Sequence, residues 1–129
     1  MQKYKQSLDD YKKALSLYSE NKNVNLYFKL ANTEYMLKLY KDSISNYLQV
    51  VNLKPNYEYA YYKLIGAYIF VEDFNNALNV LRKYTKTSKT KKIHVTDYSN
   101  WAAIINKYTE NETIRDLKKE LKELTFTQA

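Results

Sequence analysis

The chain has 129 residues and a formal net charge of +7, with 45% hydrophobic and 27% charged residues. That is a globular mixture in one domain's length of chain, enough to bury an autonomous core. One Gly, one Pro, one His and no Cys exclude turn-rich β folds, Gly-rich phosphate loops, disulfide frameworks and multi-histidine or thiolate metal sites. No cofactor is expected.

Apolar residues recur at spacings of three and four, the period of a buried helix face. They predict seven antiparallel helices over roughly 3–18, 24–37, 40–53, 57–71, 74–86, 97–109 and 112–124. The first carries Tyr4, Leu8 and Tyr11. The basic residues before it lead into no apolar run, so no signal peptide is expected, and the cytoplasm is the default compartment. In the second, Tyr27, Leu30 and Ala31 form the face, and in the third Tyr40, Ser43, Ile44, Tyr47, Val50 and Val51 do. Pro55 follows, where it cannot extend the third helix. The fourth contains the longest apolar stretch, Leu64 to Val71, broken only by Gly66. It is far too short to span a bilayer, so no membrane insertion is expected. Asp73 is a candidate cap for the fifth helix and Asn111 for the seventh.

Six of the basic residues, Arg82, Lys83, Lys86, Lys89, Lys91 and Lys92, crowd into one stretch with no acid between Asp73 and Asp97. Their neighbours Thr85, Thr87, Ser88 and Thr90 mark residues 86–96 as a solvated loop. Only Arg82 and Arg115 are arginines, whereas phosphate recognition favours the arginine fork. A nucleic acid partner is therefore the second reading, with RNA stacked on exposed tyrosines beside the 82–92 segment. In the last helix, Asp116/Lys119 and Lys119/Glu123 stand at supportive spacings.

The helices repeat in pairs. Tyr27, Leu30 and Ala31 return 34 residues later as Tyr61, Leu64 and Ile65, and Tyr40, Ser43, Tyr47 and Val50 return as Phe74, Ala77, Leu81 and Tyr84. After a 40-residue interval the pattern returns in Trp101, Ile104, Ile105 and Tyr108, then in Ile114, Leu117, Leu121 and Leu124. An upstream echo of Tyr4, Ser7, Leu8, Tyr11, Ala14 and Leu17 matches only the second half of a unit.

This pattern resembles the tetratricopeptide repeat, with an aromatic, Leu-Gly and Tyr on one helix and Ala, an aromatic and Pro on the next. Tyr27, Leu30, Ala31, Ser43, Tyr47 and Pro55 fit it, as do Tyr61, Leu64, Tyr68, Phe74 and Ala77, and then Trp101, Ile104 and Tyr108. Glu34, Ile65, Ile105 and Leu117 depart from it. The resemblance implies an all-α, right-handed αα superhelix, a tetratricopeptide-like solenoid. It implies a half repeat at 3–18, repeats at 24–57 and 58–85, a basic loop at 86–96 and a degenerate capping repeat at 97–124, all in one domain.

The resemblance also implies a non-enzymatic module that holds a protein or peptide in a groove lined by the first helix of each repeat. Carried over residue by residue, that groove shows Phe28, Lys29, Asn32 and Tyr35 from one repeat, and Tyr59, Tyr62, Lys63, Gly66 and Phe70 from the next. Aromatics beside two ammonium groups suit an acidic peptide with an apolar side chain. The family's clamp for acidic chaperone tails is incomplete: Asn32 fits it, but Phe28, Lys63, Ser99 and Ala103 do not. The first helix would lack a partner of its own, so residues 4–17 are expected to meet the rest of a longer parent chain or a second copy. His94 with Asp97, Asp9/Asp10 and Glu72/Asp73 assemble no nucleophile with a base, so no enzyme is expected.

Overall fold

Helix starts and stops are set by local chemistry, and their signals sit where the periodic segments begin and end. The computed structural model describes residues 2–17 and 23–127. Among these, seven helices form: α1 Gln2–Leu17, α2 Val24–Met36, α3 Tyr40–Leu53, α4 Glu58–Phe70, α5 Phe74–Thr87, α6 Val95–Ile105 and α7 Glu112–Lys122. Asp73 caps α5 by accepting from the Asn76 N–H at 3.3 Å, and Asn111 caps α7 by accepting from the Ile114 N–H at 2.9 Å. Asn23 caps α2 in the same way, accepting from the Leu26 N–H at 3.2 Å. Each satisfies one of the amides that a helix start leaves unpaired.

The chain divides into two compact units, Met1–Ala60 and Tyr61–Ala129. In the N-terminal unit, α2 packs on both α1 and α3. Leu8 of α1, Leu30 and Ala31 of α2, and Ser43, Tyr47 and Val50 of α3 are its buried residues at the expected three-and-four spacing. In the C-terminal unit, α5 and α6 both pack on α7. Ala77, Leu78, Leu81 and Tyr84 are buried on α5, Ile114, Leu117 and Leu121 on α7, and Trp101 and Ile105 on α6.

The turn that ends α2 recurs 34 residues later at the end of α4. Lys38 and Glu72 are both left-handed, at φ 63° and 65°. Around Lys38 the Leu37, Lys38 and Leu39 amides donate to the carbonyls of Thr33, Tyr35 and Glu34; around Glu72 the Val71, Glu72 and Asp73 amides donate to those of Ala67, Ile69 and Tyr68. This is a Schellman stop, a six-residue bond over a shorter one. The end of α6 has no such bond: Asn106, Lys107 and Tyr108 donate to Ala102, Ile104 and Ile105. The irregular third copy therefore differs in its turn as well as in its residues.

Two features differ from the sequence expectation. Residues 86–96 are not simply an exposed loop: α5 runs on to Thr87, Ser88 is buried, and α6 starts at Val95. Between them β1, Lys92–His94, pairs in parallel with β2, Thr125–Thr127, so that Ile93 lies opposite Phe126. Ile93 is fully buried between exposed neighbours; one apolar residue in a polar run leaves too short a period to read as a strand. In α7, Asp116 does not close with Lys119 as its spacing allows. It meets Arg82 of α5 at 3.5 Å, and Glu120 meets the same guanidinium at 3.0 Å.

A lysine and a glutamate hold a conformation that a Cβ disfavours, and both are exposed. Lys38→Gly and Glu72→Gly should therefore each stabilise the chain, by up to about 1 kcal/mol in urea unfolding followed by helical circular dichroism. A loss of stability in both would contradict the role given to these turns.

Candidate interaction surfaces

Residues 28, 29 and 32 share one face of α2, because positions three and four apart are helical neighbours. In the N-terminal unit the Phe28 ring meets Tyr57 at 4.9 Å, Tyr59 at 5.7 Å and Tyr47 at 5.9 Å between centroids. These are tilted or edge-on contacts, the favourable aromatic geometries. The cluster reaches the surface: Phe28 and Tyr57 are half-buried, Tyr59 is 48% exposed and Lys29 is exposed. The Lys54 ammonium lies 5.1 Å from the Tyr57 ring centroid, within cation–π range. Asn32 accepts a short hydrogen bond from the Tyr47 hydroxyl, and half-buried Tyr35 packs edge-on against Tyr40 and Tyr47. The structure thus joins Phe28, Asn32 and Tyr35 through Tyr47, and Tyr59 through Phe28. Tyr47 is fully buried beneath the cluster, as its place in the apolar face of α3 implies, whereas Tyr57 was not an expected groove residue. Tyr57 follows the Pro55 turn, and nothing in its spacing marks it.

The C-terminal unit corrects two groove residues. Tyr62 is 6% exposed, and its ring packs on Tyr84, His94 and Trp101. Its hydroxyl donates to Asp97 Oδ2 at 2.5 Å and accepts from the His94 backbone N–H at 3.2 Å. Burial and then the Asp97 carboxylate push this phenol well above the ordinary tyrosine value. Tyr62 therefore binds α4 to the start of α6, and it offers a ligand no surface. Gly66 is buried too, in a helix buried along nearly all of residues 60–69. A helix that is apolar all round is a core element, which a motif read one face at a time conceals. Lys63 and Phe70 stay half-buried on that helix.

His94 is no bare loop residue. Its Nδ1 lies 3.3 Å from the Thr127 hydroxyl, at the end of the strand pair. Nothing among the described residues gathers three metal-ligating side chains, and no helix there is long and apolar enough to cross a membrane.

Glu34, which departs from the repeat pattern, is 2% exposed and accepts from Asn46 Nδ2 at 2.6 Å. Burial raises its pKa, the Asn46 bond lowers it, Asp42 raises it and Lys12 lowers it, with a net upward shift.

No family model and no curated protein matches the sequence. Solved structures do match. That of MamA aligns over 92% of this chain and 66% of its own, at 19% identity and a TM-score of 0.69. A MamA double mutant, RS-1 ArsTM, aligns over 94% of this chain and 65% of its own, at 16% identity and a TM-score of 0.69. This chain thus spans just under two thirds of each of these two solved chains. The fold is all-α and tetratricopeptide-like. At this identity the likeness shows the fold alone.

The buried acid sets a pH dependence. A carboxyl whose folded pKa is raised favours folding with its proton on. Its stabilising contribution is full below the unfolded value and is lost as pH rises through the folded value. Glu34→Gln should therefore raise the melting temperature at neutral pH and flatten its fall on the alkaline side of the ordinary carboxylate range. Tyr62→Phe should cost about 1–3 kcal/mol by removing the buried hydroxyl's bonds to the Asp97 carboxylate and the His94 amide. A neutral-pH melting temperature that Glu34→Gln leaves unchanged would contradict the charge assignment at that site.

Proposed function

We propose that this chain is a non-enzymatic interaction module of the tetratricopeptide type, built from repeats 24–57 and 58–85 with a degenerate repeat at 97–124. Its partner is a protein or peptide. In the N-terminal unit the recognising surface is the aromatic face of α2 and the start of α4, where Phe28 and Tyr59 stand with Lys29, flanked by Asn32 and Tyr35. The carrying observation is the half-exposed ring cluster, with Tyr59 48% exposed. Monomeric surfaces seldom leave large apolar rings grouped in the open, and such groups mark binding sites. Rings joined with an ammonium group suit a segment that carries an apolar side chain next to a carboxylate. The fold supports the reading by analogy, since repeated helix pairs offer long surfaces and no reactive groups.

The test is affinity capture with the wild type beside Lys29→Glu, Tyr59→Ala. Both residues are exposed, so the variant should keep its melting temperature within a few degrees. Partners identified by mass spectrometry should bind the wild type and be lost, at least tenfold, from the variant. Capture that is equal in both, or that is removed by nuclease treatment, would refute the peptide reading of this face.

A further inference from the structure

A second surface, on the C-terminal unit, is built independently of the aromatic face. Helices α6 and α7 pack side by side, and a cleft of about 370 Å³ opens along their line of contact. Half-buried Tyr98 and Ala102 of α6, its cap Asn106, and Lys118 and Lys122 of α7 line it, above fully buried Ile105 and almost fully buried Leu121. That volume falls at the lower end of the range of small ligand pockets, about 300–1,000 Å³. Phe126, 47% exposed, stands against Tyr98 with ring centroids 4.8 Å apart. The strand pair that seats Ile93 opposite Phe126 holds this second ring in place.

The charge around the cleft is sorted, and α7 does the sorting. Helical positions advance about 100° per residue. Arg115, Lys118 and Lys122 therefore fall on one flank of α7 and Asp116 and Glu120 on the other, with Lys119 on the outer face between them. Arg82 of α5 holds the acidic flank through Asp116 and Glu120. The cleft side is left with lysines and no carboxylate in its lining. The charged residues that line the cleft, among those described, are thus all cationic.

We propose that the α6–α7 cleft is a docking site for an acidic peptide segment, which places one apolar side chain against Tyr98 and Ala102 and its carboxylates against Lys118 and Lys122. Charge complementarity selects this occupant. A neutral apolar segment would leave two ammonium groups unanswered at the rim, and a basic one would meet like charge. The apolar floor distinguishes the site from a bare phosphate-binding patch, which needs charge without a cleft.

The experiment pans a phage-displayed random peptide library on the wild-type chain. Enriched sequences are then measured as labelled synthetic peptides by fluorescence polarisation. A uridine oligonucleotide of matched charge serves as the nucleic-acid arm. Three variants are used: Lys118→Glu with Lys122→Glu, which reverses the rim; Ala102→Trp, which fills the floor and keeps the charge; and Lys29→Glu with Tyr59→Ala, which alters only the other surface. Enriched sequences should carry Asp or Glu beside Leu, Phe or Ile. The rim variant and the filled variant should each weaken their binding at least tenfold, with helical melting preserved in the rim variant. The Lys29/Tyr59 variant should bind as the wild type does, which keeps failure of this site distinct from failure of the aromatic face. Enrichment of sequences without acids, binding untouched by the rim variant, binding lost only with Lys29 and Tyr59, tight binding of the oligonucleotide alone, or no enrichment would each overturn the proposal.

Discussion

Every helix here is too short to hold itself. The seven described helices run from 11 to 16 residues, a length at which isolated helices are marginal in water. Each therefore depends on laying its apolar stripe against a neighbour, and most of that packing is between elements close in sequence. In the N-terminal unit α2 carries this load, held between α1 and α3. In the C-terminal unit α7 does, with Leu117 and Leu121 fully or almost fully buried. The departures from the repeat pattern can be read against that constraint. Leu117 stands where a small residue would permit closer approach, and here it is fully buried.

Polar groups carried inside then fix which packing is adopted. Asn46 reaches Glu34 from α3 to α2, and the Tyr47 hydroxyl reaches Asn32 between the same two helices. Tyr62 does the same for α4 and α6 through Asp97 and His94, and Tyr84 adds a bond of 2.6 Å to the Lys92 carbonyl. Hydrophobic contact is tolerant of register, whereas a buried donor without its acceptor is costly. These tyrosines serve as specific ties, with the ring in the core and the hydroxyl on a named partner. That also explains why a chain with 15 tyrosines exposes few of them as recognition groups: the more a ring contributes to packing, the less of it a ligand can reach.

The charges obey a similar division. Arg82 belongs by sequence to the basic stretch, but in the fold it faces two carboxylates of α7. The pairing is exposed and contributes little to stability. Its consequence is spatial, since acids gathered on the α5 side of α7 leave lysines on the α6 side. The strand pair adds a second consequence. By drawing the end of the chain beside residues 92–94, it sets Phe126 against Tyr98.

The helices, two of their caps and the 34-residue recurrence are legible in the residues alone, because each is a local matter. Apolar spacing of three and four, Asp73 and Asn111 before their helices, and Pro55 after its own all act within a turn or two of chain. Sequence likewise marked Lys29 on α2 and Tyr59 on α4 as outward residues, which for each needs only the face of its own helix. It did not reveal the burial of Tyr62 and Gly66, since a helix covered on all sides and a helix covered on one can carry the same motif. Nor did it show the β1–β2 pair, in which residues 33 apart meet through one buried isoleucine, or the cleft beside α7. Those depend on which neighbours arrive from elsewhere in the chain, and only the folded arrangement of side chains decides that.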